Sequence, residues 1–231
     1  MSRIGILYGV GVGNGDEENI TLKAVRIIKK CKYIAVPNDV KEESAAYKIV
    51  KKVFETDGEE LEDKIWLEFS MPMTKDVNIW QQSHEVAAEE ISKVLAKGED
   101  VAFLCLGDPT VYSTYMYVHR LILEKGYEAN VISGITSFCA VAARAGKALA
   151  EQKQEIHIIP ANYGLEKALS LSGTKVFMKI GSKISQLKEM LDENQEVFMV
   201  ENCGMENEHY YEGVNELPDK AGYFTVVVVK S

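Results

Sequence analysis

The chain has 231 residues, 46% hydrophobic and 26% charged, the composition of an ordinary water-soluble protein with room for two small α/β units. Its net charge of −9 argues against a protein that grips nucleic-acid phosphates, because such sites need a basic face. No run reaches the roughly 18 continuous apolar residues of a membrane span. Arg3 leads into a short alternating run and glycines, unlike a signal peptide, so the expected location is the cytoplasm.

In chain order, Arg3–Tyr8 predicts a strand that ends in the glycine-rich turn Gly9–Asp16. Ile20, Ala24, Ile27, Ile28 and Cys31 recur at the spacing of one helical face, and Lys32–Val36 is a short strand stopped by Pro37. A second amphipathic helix carries Ala45, Ala46, Ile49, Val50 and Val53. A strand follows at Ile65–Phe69, then a longer helix from Val77 to Leu95 that closes near Gly98. Asp100–Leu106 is nearly continuous in apolar residues, as a strand covered on both faces should be.

The second half alternates in the same way but more weakly. Helices are expected at Tyr115–Glu124, Ser137–Ala145, Leu165–Leu171 and Ile184–Leu191. Strands are expected at Ala129–Ile132, Glu155–Ile159, Lys175–Lys179, Glu196–Glu201 and Tyr223–Val229. Strands alternating with helices imply a largely parallel sheet in each half, with ligands beyond the carboxyl ends of strands. A soft domain boundary falls near Thr110–Tyr115, giving domains 1–112 and 113–231.

Three turns could carry chemistry. Gly9–Asp16 fails the dinucleotide pattern, since Asn14 or Asp16 stands where the third glycine should be. Its glycines permit a tight turn, contact a ligand, or both. Leu106-Gly-Asp-Pro109 follows the most apolar strand; Asp108 either caps a plain turn or presents a carboxylate to a ligand. Ser133-Gly-Ile-Thr-Ser137 offers hydroxyls and free N–H groups at a helix start, which capping alone would also explain. Tyr112, Tyr115 and Tyr117 pack in the protein or face a flat ligand. Neither a Ser/His/Asp set nor a metal-ligand spacing among His84, His119, His157 and His209 is present. Cys31, Cys105, Cys139 and Cys203 form no C-x-x-C pair, and three lie in apolar patterns, so buried reduced thiols are expected.

Taken together, the turns resemble the motifs of the tetrapyrrole (precorrin) methylase family, over a span from Gly5 to Lys230. Tyr8–Asp16 with Thr21-Leu-Lys-Ala24 resembles the family's first motif, Leu106–Pro109 with Tyr112-Ser-Thr114 its second, and Ser133–Ser137 its third. Within the family, Leu7–Gly13, Phe69-Ser-Met-Pro-Met73, Tyr112–Tyr115, Ile132–Phe138 and Ile158-Ile-Pro160 look most like the branch that methylates precorrin-2, with or without cobalt, at C-20. Asn14 and Ser133 stand where the family usually has proline.

The resemblance implies two α/β domains, each a mostly parallel or mixed sheet flanked by helices, with the active site in the cleft between them. It also implies a homodimer, S-adenosylmethionine as methyl donor and a tetrapyrrole substrate. Carried over residue by residue, it places Asn14, Gly107, Asp108, Val111, Thr136 and Ser137 around the cofactor, with Ile180, Asn202 and Phe224 from later strands. Tyr112 and Tyr115 would lead toward the macrocycle. Arg144, Lys179 and Lys183 are the local cations that a polycarboxylate substrate needs, or else solvated surface charge. The methyl group is already activated on its sulfonium, so alignment is the protein's main task, and no general base is assigned. A sister methylase, acting at another ring carbon or on uroporphyrinogen, and a non-catalytic tetrapyrrole-binding protein are the alternatives.

Overall fold

The computed structural model describes residues 3–59, 61–72, 74–160 and 163–230. Met73, the last residue of the Phe69–Met73 segment, lies outside them. Two compact units divide the chain, Met1–Thr136 and Ser137–Ser231. Among the described residues, no helix is long and apolar enough to cross a membrane.

The first unit holds β1 (Ile6–Gly11), α1 (Leu22–Lys30), β2 (Tyr33–Val36), α2 (Ala45–Thr56), β3 (Ile65–Glu68), α3 (Val77–Ala96), β4 (Val101–Cys105), α4 (Tyr115–Glu124) and β5 (Glu128–Ile132). Its sheet runs β3-β2-β4-β1-β5 and every pairing is parallel. All five residues of β4 are buried, because alternate side chains serve opposite faces. Ala102 and Leu104 pack with Ala24 and Ile28 of α1 and Ile49, Val50 and Phe54 of α2. Val101 and Phe103 pack with Ala87, Ile91 and Leu95 of α3 and Val118 and Ile122 of α4. Each fully buried large apolar side chain contributes roughly 1.5–3 kcal/mol relative to exposure. The domain boundary expected at 112/113 falls inside this unit, because α4 shares its packing face with α3 and β5 pairs with β1.

This topology creates a switch point in the first sheet. From β1 the chain passes through α1, on one face, to β2; from the neighbouring β4 it passes through α4, on the other face, to β5. The connections therefore diverge at the carboxyl ends of β1 and β4, the switch point at which parallel sheets bind ligands. One local cause is visible at α1. Thr21 Oγ1 accepts the Ala24 N–H at 3.1 Å and starts the helix, while Ala24 itself is fully buried. That accounts physically for the Thr-x-x-Ala spacing.

The second unit comprises α5 (Ser137–Ala145), β6 (Ile156–Pro160), α6 (Leu165–Leu169), β7 (Thr174–Met178), α7 (Ile184–Met190), β8 (Val197–Glu201), β9 (His209–Glu212) and β10 (Thr225–Val229). Its sheet is ordered β6-β7-β10-β8-β9 and is mixed: only β6 and β7 are parallel, and the remaining three pairings are antiparallel. A largely parallel second sheet is thus not what forms. No helix long enough for a parallel crossover joins β8 to β9 or β9 to β10, so those strands turn back. The Thr-Val-Val-Val-Val run of β10 is its buried central strand. Val227 and Val229 face Leu165, Ile184 and Leu187, whereas Val226 and Val228 face Val141 of α5.

Candidate methyl-donor site

The three turns that stood out in the sequence meet in the first unit. Strand β1 runs on through Gly9-Val-Gly11, past the expected stop at Tyr8. Val12 then donates its N–H to Cys105 O at 3.0 Å, and Gly107 donates to Gly13 O at 2.6 Å. Gly13 and Gly107 both have positive φ, 78° and 72°, the backbone region that favours glycine. The third turn packs closely on the main chain of the first two. A β-carbon on Gly134 would lie 2.2 Å from Gly107 O and 2.8 Å from Gly11 Cα.

Asp108, 6% exposed, ties the second turn to the third. Its Oδ1 accepts from Thr110 N at 2.8 Å and Thr110 Oγ1 at 2.5 Å. Its Oδ2 accepts from the Ser133 hydroxyl and from Gly134 N at 3.0 Å. Burial pushes the carboxyl upward, but the hydrogen bonds from Ser133, Thr110 and Gly134 outweigh it and hold the group below the usual carboxylate value. With four donors on its two oxygens, Asp108 shapes the wall. The Thr110 half is an Asx turn that Asp-Pro-Thr makes legible. Ser133 carried no site assignment from the sequence, although a hydroxyl beside a glycine turn was the available signal.

The other candidates divide by environment. Asn14 is buried at 6% exposure, at the turn after β1. Val111 is half-buried and donates its N–H to Asp108 O at 3.2 Å. Tyr112 is 51% exposed and adopts a left-handed backbone, φ 48°. Tyr115, expected to lead toward a ligand, lies instead in the core, fully buried. Its hydroxyl donates to Asn130 O at 3.0 Å and lies 3.0 Å from His119 Nδ1. The Thr136 hydroxyl oxygen is shut off from solvent with no hydrogen-bond partner among the described residues. Such an orphaned oxygen fits a ligand donor.

In the second unit, Ile180, Asn202 and Phe224 gather at one end of the sheet. Asn202 donates its N–H to Phe224 O at 2.9 Å, and Lys179 donates to Thr225 O at 3.1 Å. Lys179 and Asn202, the residues after β7 and β8, both have left-handed backbones, φ 59° and 52°. Ile180 is fully buried in the core, so only its main chain can serve a ligand, whereas Phe224 is 40% exposed. Ser137 opens α5. Arg144 is engaged within its own unit, with Nε 2.5 Å from Glu208 Oε1 and its guanidinium 5.7 Å from the Tyr210 ring centre. Its charge is already compensated. Lys183 sits at the N-cap of α7, half-buried. Of the cysteines, Cys31 and Cys105 are buried, their thiols pushed up to about 12 by burial, whereas Cys139 is exposed.

Comparison with known proteins agrees with this architecture. Residues 6–217 match the model of the tetrapyrrole (corrin/porphyrin) methylases, and the chain belongs to that family. It is 37% identical over 190 residues, 80% of this chain and 78% of the relative, to a probable cobalt-precorrin-2 C(20)-methyltransferase of Methanocaldococcus jannaschii. It is 28% identical to the cobalt-precorrin-2 C(20)-methyltransferase of Salmonella typhimurium, covering 97% of this chain and 96% of that one. The fold resembles that of a cobalt precorrin-4 methyltransferase, with TM-score 0.77, 16% identity and coverage of 97% and 94%. It also resembles a Thermus thermophilus uroporphyrin-III C-methyl transferase complexed with S-adenosyl homocysteine, with TM-score 0.70, 17% identity and coverage of 98% of both chains.

Proposed function

We propose that this chain transfers the methyl group of S-adenosylmethionine to C-20 of precorrin-2 or cobalt-precorrin-2, in cobalamin biosynthesis. The observation that carries the donor half is the main-chain cradle of Gly13, Gly107 and Gly134 braced by Asp108 at the switch point of the first sheet. The acceptor half is supported by the two relatives named as C(20)-methyltransferases.

The residues present fit such a donor. A β-carbon on Gly107 would meet only Ile135 O, at 3.9 Å, so the absent side chain leaves room for a ligand. The orphaned Thr136 hydroxyl offers a hydrogen bond there. In this reading Asn14, Gly107, Val111 and Thr136 hold the donor in the first unit. The family resemblance also assigns Ser137, Ile180, Asn202 and Phe224 to the donor. Tyr112 faces the macrocycle. The donor supplies a methyl group already activated on its sulfonium. The protein's residues supply alignment, which in favourable cases is worth roughly 7–11 kcal/mol of barrier, and an ionised Asp108 keeps the wall fixed meanwhile. The family resemblance further suggests a cytoplasmic homodimer, which sedimentation of the purified protein tests.

The deciding experiment incubates the protein with S-adenosylmethionine and either precorrin-2 or cobalt-precorrin-2, then locates the new methyl group by mass spectrometry and NMR. A methyl at C-20 is the expected result. Methylation at another carbon, or of uroporphyrinogen instead, would overturn the C-20 assignment. Tight binding without turnover would identify a carrier.

A further inference from the structure

Ser133 has a hydroxyl where the family pattern has a proline ring, and the structure gives that hydroxyl a task. It donates to Asp108 Oδ2, the oxygen that also accepts the Gly134 N–H at 3.0 Å. The other oxygen is held by Thr110 N and Oγ1 at 2.8 and 2.5 Å. One carboxylate therefore spans two turns that lie 25 residues apart. Gly134 cannot be braced by a side chain of its own, because its β-carbon position is filled by Gly107 O and the Gly11 main chain. Without a ring before it, the third turn is held by the Ser133 and Gly134 hydrogen bonds to Asp108 and by the packing of Gly134 on the Gly107 and Gly11 main chain.

We propose that Ser133 is a positioning residue for methyl-donor binding. Through Asp108 it holds the 107–110 and 133–136 turns at a fixed separation, replacing a proline's restriction of φ with a charge-assisted hydrogen bond. The Asp108 carboxyl is held below its ordinary value, so the acceptor is ionised at neutral pH. The inference rests on the donor-binding half of the function proposed above and is independent of which ring carbon is methylated.

Calorimetric titration with S-adenosylhomocysteine tests it on the unsubstituted protein and on Ser133→Ala, Ser133→Thr and Ser133→Pro. Loss of one charge-assisted hydrogen bond weakens binding roughly tenfold in Ser133→Ala. Ser133→Thr restores the donor atom and Ser133→Pro restores the rigidity, so both recover most of the affinity. In steady-state assays with cobalt-precorrin-2, the loss in Ser133→Ala falls more on the KM for S-adenosylmethionine than on kcat, a split that a general loss of folded protein would not produce. Unchanged affinity in Ser133→Ala overturns the proposal, as does a loss that neither of the other variants recovers. If the unsubstituted protein binds no S-adenosylhomocysteine, the donor reading falls and takes this inference with it. If it binds but methylates a different carbon, only the C-20 assignment falls, and calorimetry still decides the role of Ser133.

Discussion

The ring of Tyr115 occupies the space beside Gly9 where any other residue would place its side chain. A β-carbon on Gly9 would fall 2.1 Å from Tyr115 Cε1 and 2.3 Å from Cζ. A glycine in mid-strand is thus a packing requirement, which explains why β1 continues through a segment that reads as a turn. Gly9→Ala forces the ring or the strand to move and is expected to destabilise the protein by about 3 kcal/mol. Tyr115→Phe keeps the ring and loses the hydroxyl's contacts with Asn130 O and His119 Nδ1, at about 1–2 kcal/mol. Urea denaturation of both variants checks the order. Equal stability of Gly9→Ala and the unsubstituted protein would mean that the ring yields freely.

Acid should loosen the first unit through two aspartates. Asp100, 5% exposed, lies 2.6 Å from Arg3 Nη2 and 2.8 Å from Lys30 Nζ, and accepts Ile6 N at 3.0 Å. In Asp100 as in Asp108, burial pushes the carboxyl up, and stronger combined hydrogen bonding, led by Lys30 in Asp100 and by Ser133 in Asp108, brings it below the usual value. A depressed folded pKa stabilises the protein above the unfolded value and loses that stabilisation as pH falls through the folded value. Stability should therefore decline as pH drops below about 4. Asp108→Asn should cost roughly 2 kcal/mol at neutral pH, with the gap to the unsubstituted protein closing in acid. Urea midpoints from pH 7 to pH 3 measure both trends, and a constant gap would contradict them.

Two glycines of the cradle should fail differently. Gly107→Ala meets only Ile135 O, at an ordinary contact distance of 3.9 Å, and is penalised for its left-handed backbone by about 1–2 kcal/mol. Gly134→Ala drives a β-carbon into Gly107 O at 2.2 Å and cannot be accommodated without moving main chain. The expected outcome is a folded Gly107→Ala with S-adenosylhomocysteine affinity reduced at least about tenfold, and a Gly134→Ala that fails to fold stably. Full ligand affinity in a folded Gly107→Ala would place the donor elsewhere. Circular dichroism melts beside calorimetry separate the two cases.

The first sheet was largely legible in the sequence because burial on both faces writes each strand as an apolar run, as in Val101–Cys105, and helices at 3.6-residue spacing lie between them. The second sheet was less so. Its strand count and direction depend on β9, His209-Tyr-Tyr-Glu212, an edge strand whose adjacent tyrosines give no alternation. The stretch between Glu201 and Thr225 lacks helical periodicity, and that was the signal for antiparallel return. At the site, turn positions could be read because glycine and Asp-Pro-Thr have local causes. Side-chain directions could not. Tyr112 and Tyr115 are three residues apart, yet one is 51% exposed and the other fully buried, a difference set by Gly9 in a strand more than a hundred residues earlier.

The meeting of Gly11, Gly107 and Gly134 through bare backbone has a consequence for how this architecture diversifies. A surface without side chains carries no alphabet, so it cannot encode which macrocycle or which ring carbon is chosen. It can only be kept or lost. In the proposed function, selectivity falls to side chains outside this backbone contact, such as the exposed Tyr112, while the glycine cradle serves the methyl donor.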